Sequence, residues 1–116
     1  MPRIVPQNDT ITIELEFFEK LLSLHGDFKL DRSSISEVST TKIDISWKEL
    51  RAPGSFIPGL IKSGTYYTGQ GKEFGYVSRS KPHQLIIELQ NYTYKRLVLG
   101  FPTEAHRDAA ANMFKE

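Results

Sequence analysis

The chain has 116 residues, no cysteine, and 15 lysines and arginines against 14 aspartates and glutamates. This length is typical of one domain, and the absence of cysteine excludes disulfides, thiolate catalysis and cysteine-based zinc or iron–sulfur sites. The net charge of +1 gives no general basic excess for nucleic-acid phosphates, and no apolar run is long enough to span a membrane.

The start of the chain predicts a flexible arm followed by a strand and a short helix. Residues 1–9 are polar and contain two prolines, without the apolar core of a signal peptide, so we expect an arm on a single cytoplasmic domain over 10–116. Strict alternation over 10–16 predicts a half-buried strand. The period then changes to three and four residues, which predicts a helix of about two turns over 16–24.

The middle of the chain predicts further strands and one long irregular segment. Phe28 and Leu30 alternate with polar residues, and Ile35 and Val38 follow a polar turn. The clearest alternation covers 42–48, with three apolar residues on one face, namely Ile43, Ile45 and Trp47. Two Pro-Gly turn dipeptides then interrupt 51–60, which we expect to be irregular.

The second half predicts an antiparallel meander closed by a helix. Tight polar turns separate four short apolar runs, over 60–68, 73–77, 84–89 and 94–99. A helix is predicted from Ala105 to Lys115, with Thr103 as its N-cap. The apolar stripe of this helix consists of Ala105, Ala109, Ala110, Met113 and Phe114. We expect the helix to cover one end of the sheet through Ala105, Ala109 and Met113.

About seven short strands and one C-terminal helix indicate a mostly β fold, α+β by content. The pattern resembles the pleckstrin-homology-like superfold, in particular small bacterial members of unknown function. The resemblance covers residue 10 to the end and rests on 11–15 followed by 19–22, 51–61 leading into 64–65, 71–74, and 85–89 leading into 94–98. It implies a bent, seven-stranded antiparallel barrel or sandwich, capped by the C-terminal helix, that serves as a binding or assembly scaffold.

The sequence departs from the phosphoinositide-binding members of that superfold. Those members place several lysines and arginines around the hairpin between the first two strands. The corresponding segment here, 14–28, carries four acidic residues against Lys20 and His25. The resemblance therefore does not extend to phosphoinositide recognition.

No catalytic, cofactor or metal-ligand constellation is present in the sequence. The histidines, His25, His83 and His106, lie far apart and show no metal-ligand spacing. Gly69-Gln70-Gly71 is predicted to be a hairpin turn, since no helix and no phosphate-loop signature follow it. We therefore do not expect an enzyme.

One group of basic residues is a candidate anion patch. Its members are Arg79, Lys81, His83, Lys95 and Arg96. Tyr92 and Tyr94 are interleaved with them, as in sites for nucleic acids or other anions. The alternative is a solvated sheet edge whose charges oppose aggregation.

An apolar group is the candidate partner surface. Phe18 and Leu22 lie beside the main apolar stripe of the predicted 16–24 helix, and Phe56 and Ile57 lie between the two Pro-Gly turns. The 51–59 segment is interpreted as either a plug on the core or a binding loop. The leading hypothesis is a non-enzymatic module for protein association, including homo-oligomers; the alternative is a β-barrel carrier of a small apolar ligand or lipid.

Overall fold

The computed structural model describes residues 1–17, 19–20, 26–40, 54–57, 61–69 and 71–115. Within these ranges the chain forms two β-sheets and one C-terminal helix. This confirms the predicted mostly β class and the C-terminal helix. The described strands form two separate sheets and do not close into a barrel.

The first sheet contains the three N-terminal strands, all antiparallel: β1 (Arg3–Pro6), β2 (Thr10–Glu14) and β3 (Phe28–Asp31). Ile13 is central, because it lies opposite Ile4 on one side and Phe28 on the other. The predicted alternation is confirmed, since Ile11, Ile13 and Leu15 are all buried. The structure differs from the predicted arm at Arg3–Pro6, where Ile4 contributes to the core.

The second sheet contains six strands in the order β4-β8-β9-β7-β6-β5. A short 3-10 helix, Arg32–Ser34, connects β3 of the first sheet to β4, which is an edge strand of the second sheet. The strands are β4 (Ile35–Ser39), β5 (Gly54–Ile57), β6 (Ile61–Thr68), β7 (Gly71–Ser78), β8 (His83–Leu89) and β9 (Arg96–Phe101).

The order of these strands shows that the predicted meander is wrong at β9. This strand lies between β7 and β8, and it pairs with β7 in the parallel direction. All its residues after Arg96 are buried. An uninterrupted apolar run is typical of a strand covered on both faces, so the centre of the sheet suits β9.

The core lies between the two sheets and is filled by aromatic rings. Phe28 of the first sheet meets Phe74 and Tyr94 edge-on, with ring centroids 4.8 Å and 5.5 Å away. Such edge-to-face contacts are favourable beyond the burial of apolar area. Branched side chains from β2, β8 and β9 complete this cluster.

The C-terminal helix α1 (Glu104–Asn112) lies against β8 and β9. Thr103 is its N-cap, as predicted, because the Thr103 side chain accepts a hydrogen bond of 3.1 Å from the His106 backbone N–H. The predicted covering stripe is wrong at Ala105, Ala109 and Met113, which are exposed. Two other residues of the apolar stripe, Ala110 and Phe114, pack on the core together with Ala111.

Several predictions fall partly or wholly outside the described residues. The 42–48 strand lies outside them, as does most of the 16–24 helix, although Phe17, Glu19 and Lys20 are helical. In the segment predicted to be irregular, Gly54–Ile57 form strand β5. None of the described helical segments is long and apolar enough to cross a membrane.

Candidate functional site

The structure divides the predicted anion patch between two ends of a strand pair. In the β8–β9 ladder His83 lies opposite Phe101, whereas Glu88 lies opposite Arg96. Five residues of strand separate these positions, a distance of roughly 17 Å. Arg79 and Lys81 precede β8 and belong to the His83 end, and Lys95 belongs to the Arg96 end.

Lys81 is paired with a buried carboxylate. Its Nζ atom lies 3.2 Å from Glu19 Oε2 and 5.4 Å from the centre of the Tyr76 ring. Glu19 is 1% exposed, and its other carboxylate oxygen accepts a hydrogen bond of 2.8 Å from the Glu16 backbone N–H. The Met1 ammonium also lies 3.4 Å from Glu19 Oε2. Lys81 therefore connects the turn before β8 to the helical residues near Phe17.

Arg96 is neutralised by glutamates on both neighbouring strands. Its Nε atom lies 2.5 Å from Glu88 Oε1 on β8, and its Nη1 atom lies 3.5 Å from Glu73 Oε1 on β7. Glu73 is 2% exposed, and Tyr66 on β6 donates a hydrogen bond of 3.0 Å to it. These four side chains form a continuous polar row across β6, β7, β9 and β8.

Burial controls the chemistry of this polar row. Tyr66 is itself buried, and desolvation followed by the nearby Glu73 charge raises the pKa of its hydroxyl above the ordinary value. Tyr66 consequently remains a hydrogen-bond donor to Glu73 at neutral pH. Within the row the Arg96 charge is balanced by the neighbouring glutamates, so the role of Arg96 is structural.

A second group of lysines and tyrosines lies near the β6–β7 hairpin, and the sequence analysis missed two of its five members. We define the tyrosine–lysine corner as Tyr67, Lys72, Tyr92, Tyr94 and Lys95. Tyr67 lies opposite Lys72 across the hairpin, and the Lys95 backbone N–H donates a 2.7 Å hydrogen bond to Lys72 O. The two-residue turn between Thr68 and Gly71 was the signal that could have paired Tyr67 with Lys72.

The tyrosines of this corner differ in exposure. Tyr94 is buried, and its hydroxyl is 3.0 Å from Thr65 Oγ1, so its ring belongs to the core. Tyr92 is half-buried, with its ring centroid 6.4 Å from that of Tyr94. Tyr67 is 42% exposed. Tyr67 is therefore the ring that a ligand reaches most easily.

The candidate partner surface is described only in part. Phe18 and Leu22 lie outside the described residues, and Phe56 and Ile57 contribute the backbone of β5. Phe17, which directly precedes Phe18, is 71% exposed. This exposed ring lies on the main apolar stripe of the predicted 16–24 helix, and the partner surface at Phe18 and Leu22 stays a prediction.

Two further ionisable residues, His106 and Arg32, make local contacts. His106 Nδ1 lies 2.6 Å from Thr103 Oγ1 at the start of α1. Near the 3-10 helix, the Arg32 guanidinium donates to the backbone oxygens of Gln7 and Asn8 beside a surface pocket. In the part of the chain that the structure describes, no three His, Asp or Glu side chains converge as a metal site.

Comparison with protein-family models, with curated proteins and with solved structures finds no match to this chain.

Proposed function

We propose that this protein is a non-enzymatic association module whose partner is a second copy of the same chain. The observation that carries the proposal is Phe17, 71% exposed at the start of the predicted 16–24 helix. In the sequence Phe18, Leu21 and Leu22 follow it. A two-fold interface needs only one such self-complementary patch on each copy.

The ionic contacts of the described residues support a binding role over acid–base catalysis. The two fully buried glutamates, Glu19 and Glu73, are both held by cations, Lys81 and Arg96 respectively. A general acid or base needs access to a substrate proton. Carboxylates fixed in this way serve the fold.

The packing of the described core does not support the alternative of an apolar-ligand carrier. Phe28, Phe74 and Tyr94 occupy the space between the sheets in mutual edge contact. A carrier needs an interior that side chains leave open. The filled interior favours function at the surface.

The pleckstrin-homology-like resemblance remains part of the proposal. Two packed sheets with a C-terminal helix over the core agree with it, whereas the parallel pairing of β7 with β9 departs from an antiparallel meander. The association role does not depend on the resemblance.

The test is the solution molar mass by light scattering over a range of concentrations, for the native chain and for Phe17→Asp and Phe18→Asp. We expect a concentration-dependent dimer in the native chain. Burying a charge in its apolar centre should raise the dimer dissociation constant at least about tenfold. Met113→Asp is the matched control, because Met113 is also an exposed apolar residue, 42% exposed, directly after the C-terminal helix.

A native chain that stays monomeric at the highest concentration would contradict the proposal. So would equal weakening by Met113→Asp and Phe17→Asp, since that result would indicate a general effect of added charge. Circular dichroism of each variant confirms that the fold is retained.

A further inference from the structure

The tyrosine–lysine corner differs from the other basic sites in how its charges are compensated. Lys81 and Arg96 each contact buried glutamates, as described above. Among the described residues, neither Lys72 nor Lys95 has a carboxylate within 4.0 Å. The closest acidic positions along β7 and β8, Glu73 and Glu88, are already occupied by Arg96. Within the described ranges, the two lysines of the corner therefore have no carboxylate partner.

One of these lysines, Lys72, lies against an aromatic ring. The Lys72 ammonium is 4.7 Å from the centre of the Tyr94 ring, a cation–π contact. That contact holds the Lys72 side chain near the end of the sheet, next to its cross-strand neighbour Tyr67. Lys95 passes along the hairpin, where its Cγ lies 3.0 Å from the position a Cβ would take on Gly71. Glycine at this position leaves room for the Lys95 stem.

We propose that the tyrosine–lysine corner binds a nucleotide unit, with the base stacked on Tyr67 and the phosphate held by Lys72 and Lys95. Stacking on tyrosine accepts any base, and lysine charge accepts the phosphate. An acidic peptide would use the lysines but would leave the exposed Tyr67 ring without a function. The proposal is independent of the association surface at Phe17.

The low net charge of the chain does not conflict with this site. A net charge of +1 counts every cation equally, but most of the acidic residues that the structure describes lie in ion pairs elsewhere in the fold. Arg3, for example, pairs with Glu14 on the outer face of the first sheet, and Lys20 pairs with Asp27. Two local charges and one ring suit a single nucleotide, either free or within a single strand.

The test is fluorescence anisotropy with a labelled oligodeoxyadenylate of about eight nucleotides, titrated with the full chain between about 50 mM and 200 mM salt. Lys72→Gln and Lys95→Gln should each weaken binding and lower the salt slope by about 0.7, the value for one lost single-strand phosphate contact. Tyr67→Ala should weaken binding at least about fivefold without changing the slope.

Arg79→Gln is the matched control, because it removes one exposed positive charge at the opposite end of β7. It should leave affinity and salt slope unchanged. Unlabelled adenosine monophosphate distinguishes the two sources of the ligand: displacement of the oligonucleotide shows that a free nucleotide suffices, and binding without displacement shows that the site needs a strand.

Three results would overturn the proposal. The first is no binding of the oligonucleotide at the lower salt concentration. The second is weakening by Arg79→Gln equal to that by Lys95→Gln, which indicates diffuse charge attraction. The third is displacement by polyglutamate at the same charge concentration, which indicates an acidic polypeptide as the ligand. Unchanged thermal midpoints of the variants exclude unfolding as the cause of any loss.

Discussion

Arg96 lies between two glutamates, one on each neighbouring strand, and this position decides what its charge can do. The contact with Glu73 is shielded from water, since Glu73 is 2% exposed, whereas Glu88 is 28% exposed. Neutralisation of a buried carboxylate matters more than an exposed ion pair, because an uncompensated buried charge is strongly unfavourable. Arg96 therefore stabilises the fold, in contrast to its neighbour Lys95, which is exposed and has no carboxylate partner among the described residues.

These two consecutive residues provide a direct comparison. Arg96→Gln and Lys95→Gln each remove one positive charge, from adjacent positions in the chain. We expect Arg96→Gln to lower the free energy of unfolding by about 2–3 kcal/mol, less than a fully buried pair would lose because Arg96 is partly exposed. Lys95→Gln should change it by no more than about 0.5 kcal/mol.

Urea unfolding at constant pH and salt measures both values. Equal effects of the two substitutions would show that the Arg96 contacts behave as an ordinary surface ion pair. The sequence alone could not distinguish the role of Arg96 from that of Lys95, because the glutamates that pair with Arg96 are 8 and 23 residues away along the chain. Only the strand order brings Glu73 and Glu88 to Arg96.

The C-terminal helix shows how an element can be predicted correctly while its buried face is not. Thr103 and the alanine-rich segment after it were sufficient to predict the start and type of the helix. The face was ambiguous, because Ala109 and Ala110 are adjacent and each extends to an apolar residue four positions later. Arg107 resolves the ambiguity in the structure, since its largely buried side chain lies one turn before Ala110 and Ala111. A long arginine stem can cover apolar surface, which a pattern of apolar letters does not reveal.

The two alanines test this assignment. Ala110 is 8% exposed and belongs to the core, whereas Ala109 is exposed. Ala110→Gln should lower the free energy of unfolding by about 2 kcal/mol, because a larger polar side chain must enter a packed site. Ala109→Gln should change it by less than about 0.5 kcal/mol, since glutamine is a good helix former on a solvated face. Thermal or urea unfolding of the pair distinguishes the faces; a larger loss for Ala109→Gln would restore the stripe predicted from the sequence.

At the scale of the whole molecule, local patterns identified strands but not their order. Ile11 and Ile13 belong to one strand that is buried on one face only, and this produces an alternation between neighbouring residues. Such a local pattern can be recognised in the sequence. The position of β9 depends instead on which distant strands flank it. A meander is the simplest connection for closely spaced strands, and the turn at Ser78–Lys81 is as short as a meander requires. The sequence offered only the uninterrupted apolar run after Arg96 as evidence for a central strand.

The insertion of β9 also left the candidate site only partly predictable. Tyr92, Tyr94 and Lys95 were identified because they are close in sequence, whereas Tyr67 and Lys72 joined them through the β6–β7 hairpin. Lys81 and Arg96 of the predicted anion patch are not part of the corner. They are paired with Glu19, Glu73 and Glu88, which are distant in sequence. Contacts of this kind follow from topology and not from local composition.

The strand order requires a residue without a Cβ at position 100, which is Gly100. The connection from β7 to β8 must pass over the end of β9, and there the backbone comes so close that a Cβ on Gly100 would clash with the Lys81 carbonyl oxygen. The same Cβ would lie 2.9 Å from the Tyr76 carbonyl oxygen. Both obstacles are backbone atoms, which cannot move aside as a flexible side chain can.

Gly100→Ala should therefore lower the free energy of unfolding by about 3 kcal/mol, the upper range for overpacking a closed site. Gly26→Ala is the control, because among the described residues, its chain neighbours aside, no atom lies within 4 Å of a Cβ at this position. This substitution should change stability by no more than about 1 kcal/mol. Urea unfolding of both variants tests the strand order itself. If β8 paired directly with β7, the connection would not cross β9, and the two alanine substitutions would then cost similar amounts.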